Sequence, residues 1–232
     1  MALDNALSSI NQEVYDEVLT SELKASHFFE AILSLVEERR NGRCLDIGCN
    51  DGSLAERVAS KAKLSKVYGI DIARKALKIS RSRGIKTIFH DLNEEKKLPF
   101  PDDYFDIVIC SEVIEHILPA DFLLDEIRRV LKNTGYAIIS TPRLDSLYVV
   151  SLLLFGFQPE IISLSKEKNY GGFWKTKRFR HSGHISLFTK RAFKQMLLAH
   201  SFKIIKYAST NIFVRIIPFR KDTQIWKVSP IK

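Results

Sequence analysis

The feature that most constrains the fold of this chain is an alternation of short apolar runs with helix-length segments, which begins at Arg43. The runs are CLDIG, VYGID, IKTIFH, DIVIC and YAIIST, and the segments between them include LAERVASKA, ARKALKISRSR and FLLDEIRRVL. Short β-branched runs separated by helices are typical of βαβ units, which form a parallel sheet with helices on both faces. The sequence therefore predicts an α/β, doubly wound fold with a mostly parallel sheet.

Segments outside this alternation complete the predicted organisation. Residues 1–40 carry apolar positions at helical spacing and predict N-terminal helices, whereas residues 41–232 form one predicted domain. Residues of about 142–181 break the alternation and predict an insertion after the fifth strand, over the sheet edge where ligands bind. Beyond it, LFTKRAFKQMLLAHSF predicts a helix with Thr189 as its N-cap, and FKIIKYAS and IFVRIIPF predict two strands that bring the sheet to seven.

The cysteines and the N-terminal residues bear on the cellular compartment. Cys44, Cys49 and Cys110 form no C-x-x-C pair and are odd in number, which argues against a zinc knuckle or a disulfide framework. The segment MALDNALSSINQEVYDE carries acids where a signal peptide has a basic start and an apolar stretch. We therefore expect a cytoplasmic protein.

Charge is distributed unevenly along the chain. Residues 1–126 hold 16 Lys and Arg against 23 Asp and Glu, a balance of −7, whereas residues 127–232 hold 20 against 4, a balance of +16. Such an excess is typical of a surface that faces an anionic partner, either RNA or a membrane surface to which the protein would bind peripherally. A basic surface that is only solvated explains the same count, so these alternatives stay open.

Three predicted strand ends carry residues suited to a nucleoside ligand. Gly48 and Gly52 follow the first strand and let the backbone turn tightly and approach a ligand, although their spacing is not G-x-G-x-x-G. Asp71 follows Gly52 by about 20 residues, the distance expected of a carboxylate that binds ribose. Asp91 ends the next apolar run, where an acid can accept a hydrogen bond from an adenine amine. A lone strand-end aspartate is more often a helix N-cap, but an ordered set with Asp46 favours a ligand site.

The motifs DIGCNDG, GID, HDL, FDIVICSEVIEHI and EIRRVLKNTGYAIISTP, in this order, resemble those of the class I S-adenosylmethionine-dependent methyltransferases. The likeness spans about residues 43–142 and continues more loosely through HISLFTKRAFKQMLLAHSF. It is similar to the pattern of the ubiquinone-pathway O-methyltransferases and related small-molecule methyltransferases. The resemblance implies a Rossmann-like seven-stranded fold and S-adenosylmethionine as the cofactor.

The same resemblance implies roles for individual residues. Asp71 would hold the ribose, Asp91 and the Leu92 backbone would hold the adenine, and Ser111 would lie near the methionine moiety. The family usually has glycine where this chain has Asn50, which is a mild departure because asparagine tolerates a left-handed backbone. The implied cofactor-binding residues are Asp46, Gly48, Cys49, Asn50, Gly52, Asp71, Ile72, Asp91, Leu92 and Ser111.

The segment SEVIEH carries a further group of polar side chains. If it is helical, Glu112, Glu115 and His116 share one face and suit a divalent metal, which His184 or His181 would complete. This segment, together with a later histidine, resembles those of the metal-using ubiquinone-pathway catechol O-methyltransferases and small-RNA 3′-terminal 2′-O-methyltransferases. The resemblance implies a metal that would hold neighbouring oxygens of the acceptor and lower the pKa of one of these oxygens. His184, His116 and Glu115 are also the candidate catalytic residues, with histidine as a general base. A purely structural role is the alternative.

The apolar run LYVVSLLLFGF covers residues 147–157. It is shorter than the roughly 20 residues that span a bilayer. It predicts either a lid or surface element that admits a lipid-linked or aromatic acceptor, or a buried helix packed on the sheet.

These observations predict transfer of a methyl group from S-adenosylmethionine to a small-molecule or lipid-linked acceptor, at oxygen. One alternative is an RNA methyltransferase, favoured by the basic second half of the chain. Another is a catalytically inactive cofactor-binding subunit that serves a partner, against which the intact acids Asp46, Asp71 and Asp91 argue.

Overall fold

The structure is a computed structural model that describes residues 22–162, 165, 170–172, 182–210 and 222–232, with the side chains of 22–27 left out. Its strands are β1 (Arg43–Ile47), β2 (Lys66–Asp71), β3 (Lys86–Phe89), β4 (Phe105–Ser111), β5 (Leu131–Pro142), β6 (Phe202–Ser209) and β7 (Thr223–Pro230). Its helices are α1 (Glu22–Leu33), α2 (Ser53–Ala62), α3 (Arg74–Ser82), α4 (Ala120–Val130), α5 (Leu147–Leu154) and α6 (Lys190–Ala199). Short 3₁₀ turns cover Leu92–Glu94 and Ile114–His116.

The strands form one seven-stranded sheet in the order β3-β2-β1-β4-β5-β7-β6. Strands β1 to β5 pair in parallel, whereas β7 lies antiparallel between β5 and β6. The predicted α/β, doubly wound and mostly parallel sheet is therefore confirmed. Because β1 and β4 are neighbours whose crossovers run to opposite sides, their carboxyl ends open a crevice where ligands bind in such folds.

The core consists of a hydrophobic cluster on each face of the sheet. In β4, Val108 and Cys110 pack into the cluster that includes residues of α4 and α6. The intervening Ile107 and Ile109 pack into the cluster that includes residues of α1 and α2. Successive side chains of a strand point to opposite faces, so a run that is apolar throughout requires helices on both sides.

Two helices after the parallel strands begin at hydroxyl N-caps. The Ala192 amide of α6 donates a hydrogen bond of 3.1 Å to Thr189 Oγ1, which confirms the predicted cap. The Val149 amide of α5 likewise donates to Ser146 Oγ over 3.3 Å. Such caps satisfy amides that the first helical turn leaves unpaired.

The C-terminal part of the sheet differs from the sequence prediction. The segment IFVRIIPF lies outside the described residues, and the last strand along the chain is β7, which the sequence prediction missed. Within the predicted insertion, α5 buries Tyr148, Val149 and Leu152 in a small cluster of its own with Ile161. Among the described residues, no helix has the length and apolarity needed to cross a membrane.

Candidate active site

A cavity of about 260 Å³ lies at the carboxyl ends of β1 to β4. Nine of the ten cofactor-binding residues predicted from the sequence line it: Asp46, Gly48, Cys49, Asn50, Asp71, Ile72, Asp91, Leu92 and Ser111. The tenth, Gly52, is the residue from which α2 begins. The structure therefore gathers residues from four strand ends around one space, although they lie up to 65 positions apart in the sequence.

The loop between β1 and α2 needs its two glycines because each has a positive φ and leaves no room for a Cβ atom. Gly48 has a φ of +70°, and a Cβ there would lie 2.3 Å from Val113 Cγ2, so a side chain would collide with the loop after β4. Gly52 has a φ of +79° and its Cβ would lie 2.4 Å from Ile85 Cδ1. Asn50 adopts a φ of +46°, the left-handed backbone that asparagine tolerates.

Asp71 connects two loops at the cavity. Its Oδ2 accepts a hydrogen bond of 2.8 Å from the Asn50 amide, and its Oδ1 accepts one of 2.8 Å from the Ala73 amide. Burial raises the pKa of Asp71, while these amide donors oppose that effect. Each carboxylate oxygen can accept a second hydrogen bond, so the side chain retains capacity for a ligand after it has fixed the loops.

Asp46 lies beneath the same loop with only 2% of its surface exposed. Burial, with smaller contributions from the negative charges of Asp71 and Asp51, raises the pKa of Asp46 to about 8. The cavity therefore places the buried carboxyl group of Asp46 near the half-buried one of Asp71, an arrangement that favours a cationic ligand.

Asp91 combines two roles that the sequence presented as alternatives. Its Oδ1 accepts a hydrogen bond of 2.9 Å from the Asn93 amide and so caps the 3₁₀ turn, yet the residue also lines the cavity. Sequence reasoning missed other lining residues: Phe28, Phe29, Leu54, His90, Asn93, Val113 and Ile117. His90 directly precedes Asp91, so its place in that motif was a signal for it. Phe28 and Phe29 reach the cavity from α1, and no local motif indicates this contact.

A second group of polar residues adjoins the cavity. Glu115 is fully buried, and its Oε1 lies 3.9 Å from His116 Nε2 and 4.0 Å from His184 Nε2. Candidate ligand atoms of these three residues all lie within 4.8 Å of one another. Because His116 also lines the cavity, we call Glu115, His116 and His184 the His-Glu cluster and place it at the cavity wall.

Backbone carbonyls orient both imidazole rings of the His-Glu cluster. His116 Nδ1 donates to Gly183 O over 3.0 Å, and His184 Nδ1 donates to Ile161 O over 2.9 Å, since a carbonyl oxygen only accepts. A neutral ring then carries its lone pair on Nε2, the atom that faces Glu115. Neither carboxylate oxygen of Glu115 makes a hydrogen bond within the described part of the chain. Burial and the charge of Glu112 raise the pKa of Glu115 well above its usual range.

Glu112 is placed differently from the sequence expectation. Only Ile114–His116 is helical, and Glu112 has a φ of +55°, so the shared helical face does not form. The Ser140 hydroxyl, which also lies 3.0 Å from Ser111 Oγ, donates to Glu112 Oε1 over 3.2 Å. Glu112 lines the cavity but is not part of the His-Glu cluster. His181 lies outside the described residues.

Comparisons with known proteins agree with this geometry. A family model described as a methyltransferase domain matches residues 21–207. The rat mitochondrial protein named arginine-hydroxylase NDUFAF5 is 33% identical over 145 residues, which cover 62% of this chain and 37% of that protein. The ubiquinone biosynthesis O-methyltransferase of Bordetella avium is 31% identical over 116 residues, which cover 48% of this chain and 47% of that protein. The chain thus spans less than half the length of these two relatives.

A solved structure matches over more of the fold. The S-adenosylmethionine-dependent methyltransferase of Mesorhizobium loti superposes with a TM-score of 0.63 and 18% identity, covering 89% of this chain and 99% of that one. This likeness extends to the seven-stranded architecture itself. The family match covers most of the chain, including every strand end that borders the cavity. The chain therefore belongs to the methyltransferase domain family, within the class I S-adenosylmethionine-dependent fold.

Proposed function

We propose that this protein binds S-adenosylmethionine in the cavity and directs its methyl group to an oxygen of a small-molecule or lipid-linked acceptor. The observation that carries the proposal is the pair of carboxyl groups, the buried Asp46 and the half-buried Asp71, at neighbouring strand ends of one cavity. S-adenosylmethionine brings a sulfonium and an ammonium cation with a ribose diol, and it supplies an electrophilic methyl group. Two acids in these positions suit those cations and hydroxyls.

Different residues along the cavity would bind the ribose, adenine and methionine parts of the cofactor. The free lone pairs of Asp71 accept the ribose hydroxyls, while Asp91 and the Leu92 backbone face the adenine. Asp46 and the loop at Gly48 lie on the side where the methionine part would extend. Ser111, fixed by its contact with Ser140, lines the cavity at the end of β4, and His116 lines it from the 3₁₀ turn that follows. Ile72, Cys49, Asn50 and Gly52 shape the intervening wall.

The His-Glu cluster supplies acid–base chemistry at the wall nearest the acceptor. Displacement at a sulfonium carbon needs an aligned nucleophile above all, and removal of its proton when the nucleophile is a hydroxyl. His116 reaches both the cavity and Glu115, so its Nε2 is positioned to take that proton. Glu115 and His184 would orient the ring and balance the charge that develops on it.

The same cluster fits a divalent cation. Two Nε2 atoms and a carboxylate converge, each imidazole is anchored through Nδ1 to a carbonyl, and the buried Glu115 carboxylate lacks a hydrogen-bond donor in the described structure. A histidine that binds a metal through one ring nitrogen usually donates the N–H of its other ring nitrogen to a carbonyl or carboxylate oxygen. A bound cation would hold neighbouring acceptor oxygens and lower the pKa of the hydroxyl that attacks. Imidazole donors favour iron or zinc over magnesium.

Metal binding is tested on the protein itself. We expect the purified chain, stripped with chelator and titrated with Mn²⁺, Fe²⁺, Zn²⁺ or Mg²⁺, to bind one equivalent and to unfold at a higher temperature. Glu115→Gln and His184→Ala would abolish both effects, whereas the control Glu112→Gln would retain binding. A metal-independent melting temperature in the unaltered protein would exclude this part of the proposal and leave the cluster as an acid–base group.

The methyl-transfer proposal is tested by product mass. A cell extract incubated with the protein and methyl-labelled S-adenosylmethionine should yield a product that is heavier by one labelled methyl group and absent with His116→Ala. A labelled product in RNA would establish the RNA methyltransferase alternative instead. Saturable cofactor binding with no labelled product across extracts would favour the inactive partner subunit.

Hydroxylation is a second candidate function. Two histidines and one carboxylate are the donor set of non-haem iron oxygenases, and one relative is named an arginine hydroxylase. The same extract experiment, repeated with Fe²⁺, a reductant and dioxygen, distinguishes the two. Methylation adds a methylene to the mass of the product and depends on S-adenosylmethionine, whereas hydroxylation adds an oxygen atom and depends on dioxygen.

A further inference from the structure

The outer side of α5 carries an apolar surface with no charged residue in it. It consists of Leu147, Val150, Leu153, Leu154 and Phe155, of which Leu154 and Phe155 are 79% and 78% exposed. The opposite side of the same helix, at Tyr148, Val149 and Leu152, is buried in a small cluster. From Ser146 to Pro159 the sequence contains no Asp, Glu, Lys or Arg. A helix that anchors itself on one side and exposes large apolar side chains on the other marks an interaction surface.

A basic segment is attached directly to this helix. The Lys190 amide at the start of α6 donates a hydrogen bond of 3.0 Å to Asp145 Oδ1, one residue before the cap of α5. The Leu144 amide donates over 3.0 Å to Phe188 O, which joins the two segments a second time. The first turn of α6 therefore lies beside the first turn of α5.

The segment 182–210, which includes α6 and β6, holds five basic residues and no acid. All five are exposed: Lys190, Arg191, Lys194, Lys203 and Lys206. Two aspartates from α4 contact His200 at the far end of α6, but they lie away from the junction with α5. Apolar side chains next to exposed positive charge are the combination that binds anionic bilayers.

We propose that α5 and the basic edge of α6 form a docking surface for an anionic phospholipid bilayer. Leu147, Leu154 and Phe155 would enter the boundary between headgroups and acyl chains, while Arg191 and Lys194 would contact phosphate groups. The helix is far too short to cross the membrane, so the protein would lie on it. The proposal does not depend on the identity of the methyl acceptor, and it differs from RNA binding because RNA makes no use of the apolar side chains.

Flotation with vesicles tests this surface. We expect the protein to float with vesicles of phosphatidylcholine and phosphatidylglycerol, and to bind pure phosphatidylcholine vesicles at least about tenfold more weakly. The double variant Leu154→Glu with Phe155→Glu should lose about tenfold or more in partitioning, since two inserted apolar side chains become charged. Arg191→Glu with Lys194→Glu should lose binding only to the anionic vesicles.

Matched controls separate docking from misfolding. Val150 and Ile79 are both 39% exposed, but Ile79 lies on α3 in the first half of the chain, so Val150→Glu should weaken flotation and Ile79→Glu should not. All variants should keep the unfolding temperature and the cofactor affinity of the unaltered protein. Failure of the unaltered protein to float with anionic vesicles, or equal flotation of the Leu154 and Phe155 double variant, overturns the proposal. RNA binding by the unaltered protein without flotation on anionic vesicles would identify a nucleic-acid surface instead.

Discussion

Asp46 offers a quantitative test of the electrostatics at the cavity. Its pKa is about 8 in the folded protein, mainly because of burial, against an ordinary value of 3.8. Between about pH 4 and 8 the folded state therefore holds a proton that the unfolded chain has released. A folded state that binds more protons loses stability as the pH rises, so the unfolding free energy should fall across this window and level off above it.

The variant Asp46→Asn isolates this effect because its side chain is neutral at every pH. A pKa difference of roughly four units corresponds to at most about 6 kcal/mol, since each unit is worth about 1.4 kcal/mol, and relaxation around the buried charge will reduce it. We expect the stability of Asp46→Asn relative to the unaltered protein to rise by about 2 kcal/mol or more between roughly pH 5 and 8. Titrating groups that do not interact with Asp46 affect both proteins equally and cancel in the difference, whereas Asp71 and Asp51 are coupled to it.

Urea unfolding at several pH values, followed by circular dichroism, gives the two free energies directly. A difference between variant and unaltered protein that stays constant to within about 0.5 kcal/mol from pH 5 to 8 would show that Asp46 ionises normally. The cavity would then not hold a buried Asp46 carboxyl group whose pKa is raised.

Further predictions concern the cavity walls and one surface contact. Gly48→Ala should cost about 1–3 kcal/mol in chemical unfolding and weaken cofactor binding, because its Cβ would collide with the loop after β4. Phe29→Ala should weaken calorimetric binding of S-adenosylhomocysteine by roughly tenfold if α1 covers the bound cofactor, and an unchanged affinity would exclude that contact. Burial lowers the pKa of His200, but two aspartates outweigh it, so the folded-state pKa is raised and the stabilising contact is lost as the pH rises through it. His200→Gln should therefore destabilise the protein below about pH 6.5 by less than about 1 kcal/mol and have no effect at high pH, as judged by unfolding temperature.

The parallel half of the fold was predictable because burial on both faces leaves a continuous apolar run in each strand. Strand β7 was not, since it contains Gln224 and Lys227, which are polar yet buried. Gln224 donates to Phe188 O and Lys227 pairs with Glu37, partners that lie 36 and 190 positions away. Gln224 and Lys227 meet these partners only in the folded chain. The local sequence therefore favoured a different and more apolar segment, IFVRIIPF, for this strand.

The residues of the candidate site also fall into those that the sequence predicts and those that it does not. The glycines and strand-end acids follow from sequence because each is defined by its distance from a strand. The prediction that the SEVIEH segment presents one helical face was wrong, because the left-handed backbone at Glu112 turns the chain before a helix can form. The contact of Phe28 and Phe29 with the cavity depends on how α1 packs against the sheet, which no local pattern records.

The most direct measurement of the central claim is a calorimetric titration of S-adenosylmethionine into the unaltered protein and into Asp71→Ala. We expect saturable binding at one site, and a dissociation constant at least about tenfold higher in the variant, because charge-assisted hydrogen bonds to the ribose are worth roughly 1.5–3 kcal/mol each. The control Glu56→Ala, an exposed acid on α2, should bind like the unaltered protein. No binding to the unaltered protein, or equal affinities for it and Asp71→Ala, would contradict the account.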